Sequence, residues 1–246
     1  MSTTLQIDNR TITAEELVSL LTHYQIIPQV ICESIIDRAI ATIECTPEET
    51  AAACAEFSQQ RQLASDTELQ TWLWHYGLDQ TQVERLATRR LRIDKFKQQM
   101  WGHRLESYFL KRKDQLDQII YSVIQVENRD MASELFFRIH EGEQSFAEVA
   151  RLYSQGPVGG VIGPIEFGKL PVGLREFLYT RPIGEVQPPV AFGESQIIVR
   201  VERVIPATLD ETMRERLLQE QFAAWFDAQV EQLPDPDKIW MGASRN

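Results

Sequence analysis

Several features that would assign a chain quickly are missing here. No apolar run approaches the ~18 residues a membrane span needs, and the N-terminus MSTTLQIDNRTITAEEL has neither a basic start nor an apolar signal core. The sequence therefore predicts a soluble protein with a cytoplasmic location. Cysteine is scarce, because Cys32, Cys45 and Cys54 are odd in number, include no CxxC spacing and lie in helix-like sequence. They fit reduced packing residues better than a disulfide framework or a redox pair. The histidines His23, His75, His103 and His140 have no ligand-like spacing to one another or to the cysteines, so no metal is expected. With 12 Gly and 11 Pro the chain is not low-complexity, and 43% apolar residues suffice to build cores. Positive charge is the other deficit: 25 Lys and Arg against 36 Asp and Glu leave a net −11. That sign opposes generic binding to nucleic acid or to an anionic membrane.

At 246 residues the chain has room for two modest domains. Up to residue 117 it reads as helical. Thr13-Ala14-Glu15-Glu16, Thr46-Pro47-Glu48-Glu49 and Ser65-Asp66-Thr67-Glu68 are capping-box signatures, the second with Pro at the first helical position. Leu17, Leu20, Leu21 and Tyr24 recur at helical spacing, while Ile31, Ile35, Ile36, Ala39, Ile40 and Ile43 surround most of the next helix. That second helix is expected at the buried centre of the domain. Further helices are expected over 66–76, 79–101 and 104–115.

The texture changes near residue 118. Ile119-Ile120-Tyr121-Ser122-Val123-Ile124-Gln125-Val126 is short and rich in β-branched residues, as strands are. Helices at 130–141 and from Ser145 to Ser154, the Gly-rich turn at 156–160, strands at 161–167 and 195–203 and a short helix at 171–179 complete a second domain. This order predicts an α+β fold in which helices cover an antiparallel sheet. After Pro206, Thr208-Leu209-Asp210-Glu211 caps a last long helix whose Leu218, Phe222, Trp225, Phe226 and Val230 have no core of their own. This helix is expected to return to an otherwise all-helical N-terminal domain. The expected division is 1–117 helical, 118–204 α+β and inserted, and 205–246 completing the first.

Residues 118–204 resemble the parvulin family of peptidyl-prolyl cis-trans isomerases. The likeness rests on Ser122-Val123-Ile124, on Gly142-Glu143-Gln144-Ser145-Phe146-Ala147-Glu148-Val149-Ala150 followed by Tyr153-Ser154, and on Gly159-Gly160-Val161-Ile162-Gly163. Gly184-Glu185-Val186, Pro189-Val190 and the strand Ile197-Ile198-Val199 extend it. With helices before and after, the layout is similar to that of SurA- and PrsA-type chaperones.

The resemblance implies rotation about X–Pro bonds, whose barrier of ~18–20 kcal/mol comes from partial double-bond character. No bond breaks, so no metal, nucleophile or cofactor is implied. What the reaction needs is an apolar cup for the proline ring and a preference for the twisted amide. By position, the cup would be Ile162, Leu170 and Leu174, with Val123 beside it as a further substrate-binding residue. The family's first-strand histidine is replaced by Val123, its last-strand histidine aligns with Gln196, and its acidic or cysteine position is Gly156. Ser154 stands at a matching position, so Ser154 and Gln196 are the implied polar, catalytic pair.

The charge is unevenly spread. Residues 1–84 hold 3 basic and 13 acidic side chains, whereas 85–113 hold 10 basic and 2 acidic. Arg85, Arg89 and Arg92 could face an anionic partner, but Arg90 and Lys97 fall among Val83, Leu86, Ile93 and Met100, so no clean stripe forms. Balancing the acidic helices is the simpler expectation. Trp72-Leu73-Trp74-His75-Tyr76 could grip unfolded clients, or pack between helices. The sequence thus predicts a prolyl isomerase or folding chaperone whose partner is a proline-containing peptide or unfolded polypeptide. The alternatives are a non-catalytic parvulin-fold adaptor for extended peptides and an accessory to export machinery.

Overall fold

The computed structural model describes residues 5–7, 10–154 and 160–241. The elements in order are β1 (Leu5–Ile7), β2 (Arg10–Ile12), α1 (Ala14–His23), α2 (Ile27–Ala39), α3 (Pro47–Gln60), α4 (Asp66–Tyr76), α5 (Gln80–Trp101) and α6 (Leu105–Leu116). There follow β3 (Gln118–Val126), α7 (Arg129–His140), α8 (Phe146–Tyr153), β4 (Gly160–Glu166), α9 (Val172–Tyr179), β5 (Val190–Phe192), β6 (Ser195–Ile205), α10 (Glu211–Glu231) and α11 (Asp235–Trp240). The chain divides into two compact units, one made of residues 1–105 and 214–246 and the other of 106–213.

In the helical unit the start signals act as the sequence indicates. Thr46 Oγ1 accepts the Glu49 N–H at 3.3 Å, and Glu49 in return accepts the Thr46 N–H at 2.7 Å. The same reciprocal box forms at Thr13 and Ser65, and also at Asp79 with Gln82. One packed group joins Ile40, Ile43 and Phe96 to Phe222 of α10, with Trp101 and Trp225 against it. A second joins Phe57, Leu73 and Val83, with Trp72 alongside. Helix α2 is less central than expected. Ile35 is the buried residue within it, and the deepest packing falls at Ile40 and Ile43 just beyond its end, where Phe96 and Phe222 meet them.

The unit is also not all-helical. Leu5–Ile7 and Arg10–Ile12 form an antiparallel ribbon, Ile7 opposite Arg10. The basic charge of α5 answers the acidic helices. Arg89 meets Glu33 at 2.5 Å and Asp37 at 2.9 Å, and Lys95 pairs with Glu49. The aromatic run of α4 is split, since Trp72 packs edge-on to Phe57 with ring centroids 5.6 Å apart while Trp74 is 83% exposed.

The second unit is built on a four-stranded antiparallel sheet in the order β4-β3-β6-β5. Central strand β3 is buried on both faces, which explains its nearly continuous apolar run. On one face Ile119, Tyr121, Ile197, Val199 and Val201 pack with Phe167, Leu170, Leu174 and Leu178 from the β4–α9 region. On the other, Ile124, Val126 and Ile198 pack with Ala132, Leu135, Phe146, Val149 and Ala150 of α7 and α8. Helix α6 lies in this unit rather than with the helices before it. The Phe167 N–H donates to the Asp117 carbonyl at 2.9 Å, and a Cβ on Gly168 would stand 3.1 Å from the Gln115 carbonyl oxygen. Gly163 is required where β4 crosses β3, because its φ is +116° and a Cβ there would stand 2.5 Å from the Ile119 carbonyl oxygen.

Candidate functional site

Side chains alternate across a strand, so register decides which residues can share a site. Tyr121 lies opposite Ile162 of β4 and Val201 of β6, and Val123 lies opposite Val199. Ile162 and Val123 are half-buried members of the apolar group that contains buried Leu170 and Leu174. The four residues implied for the proline cup, Val123, Ile162, Leu170 and Leu174, therefore gather on one face of the sheet. Ile165, Phe177 and Val190 border them. At the rim the Arg181 guanidinium stands 4.4 Å from the centroid of Phe177, a cation–π contact. The Tyr121 phenol lies within the same apolar group, and burial pushes its pKa above the ordinary value. It stays neutral at physiological pH.

The implied polar pair does not assemble there. Gln196 lies opposite Val126 of β3 and Ala191 of β5. Directly opposed residues share a face, so Gln196 sits with Val126 on the face covered by α7 and α8, opposite to Val123. The sequence alignment across the turn before β6 is what goes astray, because one residue of offset exchanges the faces. Ile197 is the β6 residue beside the cup. Ser154 ends α8, and its Oγ accepts the Gln125 N–H at 3.1 Å. Since β4 begins opposite Val123, this bond continues the pairing of β3 past the end of its neighbour. Ser154 thus has a visible job in tying α8 to the sheet. The Gly156 position and Gly159 of the Gly-Gly turn lie outside the described residues.

A polar residue that the motif comparison passed over is Gln125. It lies two residues beyond Val123, hence on the cup face, opposite Ile197. Its side-chain Nε2 donates to Ser195 Oγ at 3.0 Å. The exposed end of the cup face thus carries the Gln125 amide and the Ser195 hydroxyl. The signal available in sequence was pleat parity, with Val123 and Gln125 in the same row of the strand. Another polar group, Ser122 Oγ donating to Glu202 at 2.5 Å with Arg200 on the same carboxylate at 2.8 Å, belongs to the other parity. His140 stacks on Phe136 at 5.5 Å within α7. Among the described residues no three His, Cys, Asp or Glu side chains gather as a metal site. Val123 and Ile162 leave half-buried apolar surface beside Leu170 and Leu174, with neutral hydrogen-bonding groups at its edge.

Residues 123–203 match the family model described as Rotamase: PPIC-type PPIASE domain, and this stretch of the chain is a domain of that type. Among solved structures, a peptidylprolyl isomerase (PrsA) from Bacillus cereus is 17% identical with a TM-score of 0.50, over 95% of this chain and 94% of that one. The parvulin domain of PpiD from E. coli is 23% identical with a TM-score of 0.34, covering 39% of this chain and 97% of that one. A SurA-like chaperone structure from Campylobacter jejuni is 12% identical with a TM-score of 0.37, covering 98% of each chain. No curated protein matches the chain in sequence.

Proposed function

We propose, from the PPIC-type rotamase domain at residues 123–203, that the protein is a peptidyl-prolyl cis-trans isomerase and folding chaperone for proline-containing polypeptide segments. The observation that carries this is the gathering of Val123, Ile162, Leu170 and Leu174 into one apolar group on a single sheet face. A proline ring seated there leaves water, and its own acyl group is left to turn. The twisted amide is less polar than either planar form, so an apolar setting favours it over both. Each tenfold gain in rate needs only ~1.4 kcal/mol of that preference, which a cup without the family's histidines can supply.

A second reading has a specific observation in its favour. With the two family histidine positions occupied by Val123 and Gln196, and these on opposite faces of the sheet, the site lacks that polar pair among the described residues, which suits a domain that binds extended peptide without accelerating it. NMR exchange or protease-coupled isomerisation of short X–Pro peptides at rising protein concentration separates the two. The enzyme reading expects acceleration, and expects Ile162→Ala, at a half-buried wall position, to lower it several-fold without unfolding the domain. Retained binding with no acceleration supports the adaptor instead. We further propose a reducing, cytoplasmic compartment, supported by three free cysteines and tested by fractionation. An accessory role beside export machinery is proposed on the resemblance in layout alone, and affinity capture from cells tests it.

A further inference from the structure

The rim of the cup holds a hydrogen-bonding pair that the apolar reading leaves unused. Gln125 is exposed, yet its amide is oriented by donating to Ser195 Oγ at 3.0 Å, and the backbone beneath it is fixed by the N–H bond to Ser154 Oγ at 3.1 Å. Oε1 of this amide takes no hydrogen bond among the described residues. Beside it stand Ile197, directly opposite on β6, and Val190, opposite Ile197 on β5. Both pack with the cup. A polar acceptor held in one orientation next to half-buried apolar side chains suits a ligand with an N–H close to an apolar ring.

We propose that Gln125, held by Ser195, binds the client main chain, its Oε1 accepting the N–H of the residue that follows the proline. This rests on the isomerase reading above. Proline has no N–H, so the acceptor must serve a neighbouring residue. The following residue's N–H is joined through the proline carbonyl to the ring and does not swing when the X–Pro bond turns. The preceding residue's N–H belongs to the part that rotates. The bond to the following N–H is therefore kept through the whole reaction. An interaction made equally in ground and transition states lowers KM and leaves kcat unchanged. The Ser195 bond already orders the glutamine, so less side-chain entropy is lost on binding.

The test uses the full chain, a short X–Pro peptide and the same peptide with the N–H after proline replaced by an ester oxygen. For the unaltered protein the ester should raise KM about fivefold, the worth of one hydrogen bond, with kcat unchanged. Gln125→Leu, at an exposed site, should raise KM for the amide peptide by a similar factor and no longer distinguish amide from ester. Ser195→Ala should give a smaller rise, because Gln125 is then present but loose. The proposal is overturned if the unaltered protein treats both peptides alike, if Gln125→Leu still discriminates, or if the loss falls in kcat. A protein that accelerates neither peptide overturns the isomerase reading, and this one with it.

Discussion

A single hydroxyl or phenol can be assigned to structure or to chemistry by what its removal moves. Ser154 Oγ accepts the Gln125 N–H, so Ser154→Ala leaves that donor unpaired at the edge of β4. The expected result is a loss of ~1 kcal/mol in stability by urea denaturation, with kcat changed by less than twofold. A large fall in kcat at unaltered stability would instead return Ser154 to a catalytic role. Tyr121 makes a prediction of a different kind. Burial raises its folded pKa above the ordinary 10.0, so the folded state holds its proton longer than the unfolded chain does. That contribution to stability is complete below about pH 10 and is lost as pH climbs through the raised value. Tyr121→Phe should therefore flatten the alkaline decline in melting temperature, and an unchanged decline would show that other groups drive it. At this scale the resemblance names positions without stating which face of the sheet each takes. The resemblance names Val123, Ile162, Leu170 and Leu174 as one set, and they fall in one apolar group, but the partner of Val123 depends on register. No residue type at Gln196 reveals which face it takes.

Helices were legible where their ends carry their own chemistry. Thr13, Thr46 and Ser65 each place an oxygen under an orphan N–H and a carboxylate three residues on, and all three begin helices one residue later. Helix α7 begins differently, with Asn128 Oδ1 accepting the Asp130 and Met131 N–H groups at 2.7 and 3.0 Å. Asn128→Ala should cost ~1 kcal/mol and loosen hydrogen-exchange protection at the start of α7 first, since Ala132 and Leu135 keep its inner face packed. Uniform loss across the sheet would mean that this helix end is not an independent local element. Elements without such self-contained signals were harder to read. The β1–β2 ribbon has three residues per strand, too few for periodicity to separate from noise. The allegiance of α6 was invisible because its apolar residues do not state which core they fill. It is contacts such as Gln115 against Gly168 that decide it.

At the scale of the whole chain, the discontinuous unit makes its two ends depend on each other. Phe222 lies within 6.4 Å of the ring centroids of Phe96 and Trp101 and 5.4 Å from that of Trp225, in a group that also holds Ile40 and Ile43. These residues come from sequence positions more than a hundred residues apart, so the helical unit acquires this core only after the intervening unit has been made. Phe222→Ala removes the ring at the centre of the group, and the expected cost is ~3–5 kcal/mol. The loss should appear as falling hydrogen-exchange protection in α5 and α10 and as a shift in tryptophan emission, since Trp101 and Trp225 border the lost ring. The sheet unit has its own two apolar groups and should keep its protection, and X–Pro isomerisation by the same variant should stay within twofold of normal. If β3 and β6 lose protection in parallel with α5, the two units unfold as one. The isomerase site would then depend on the helical unit for its stability, despite sharing none of the residues in its core.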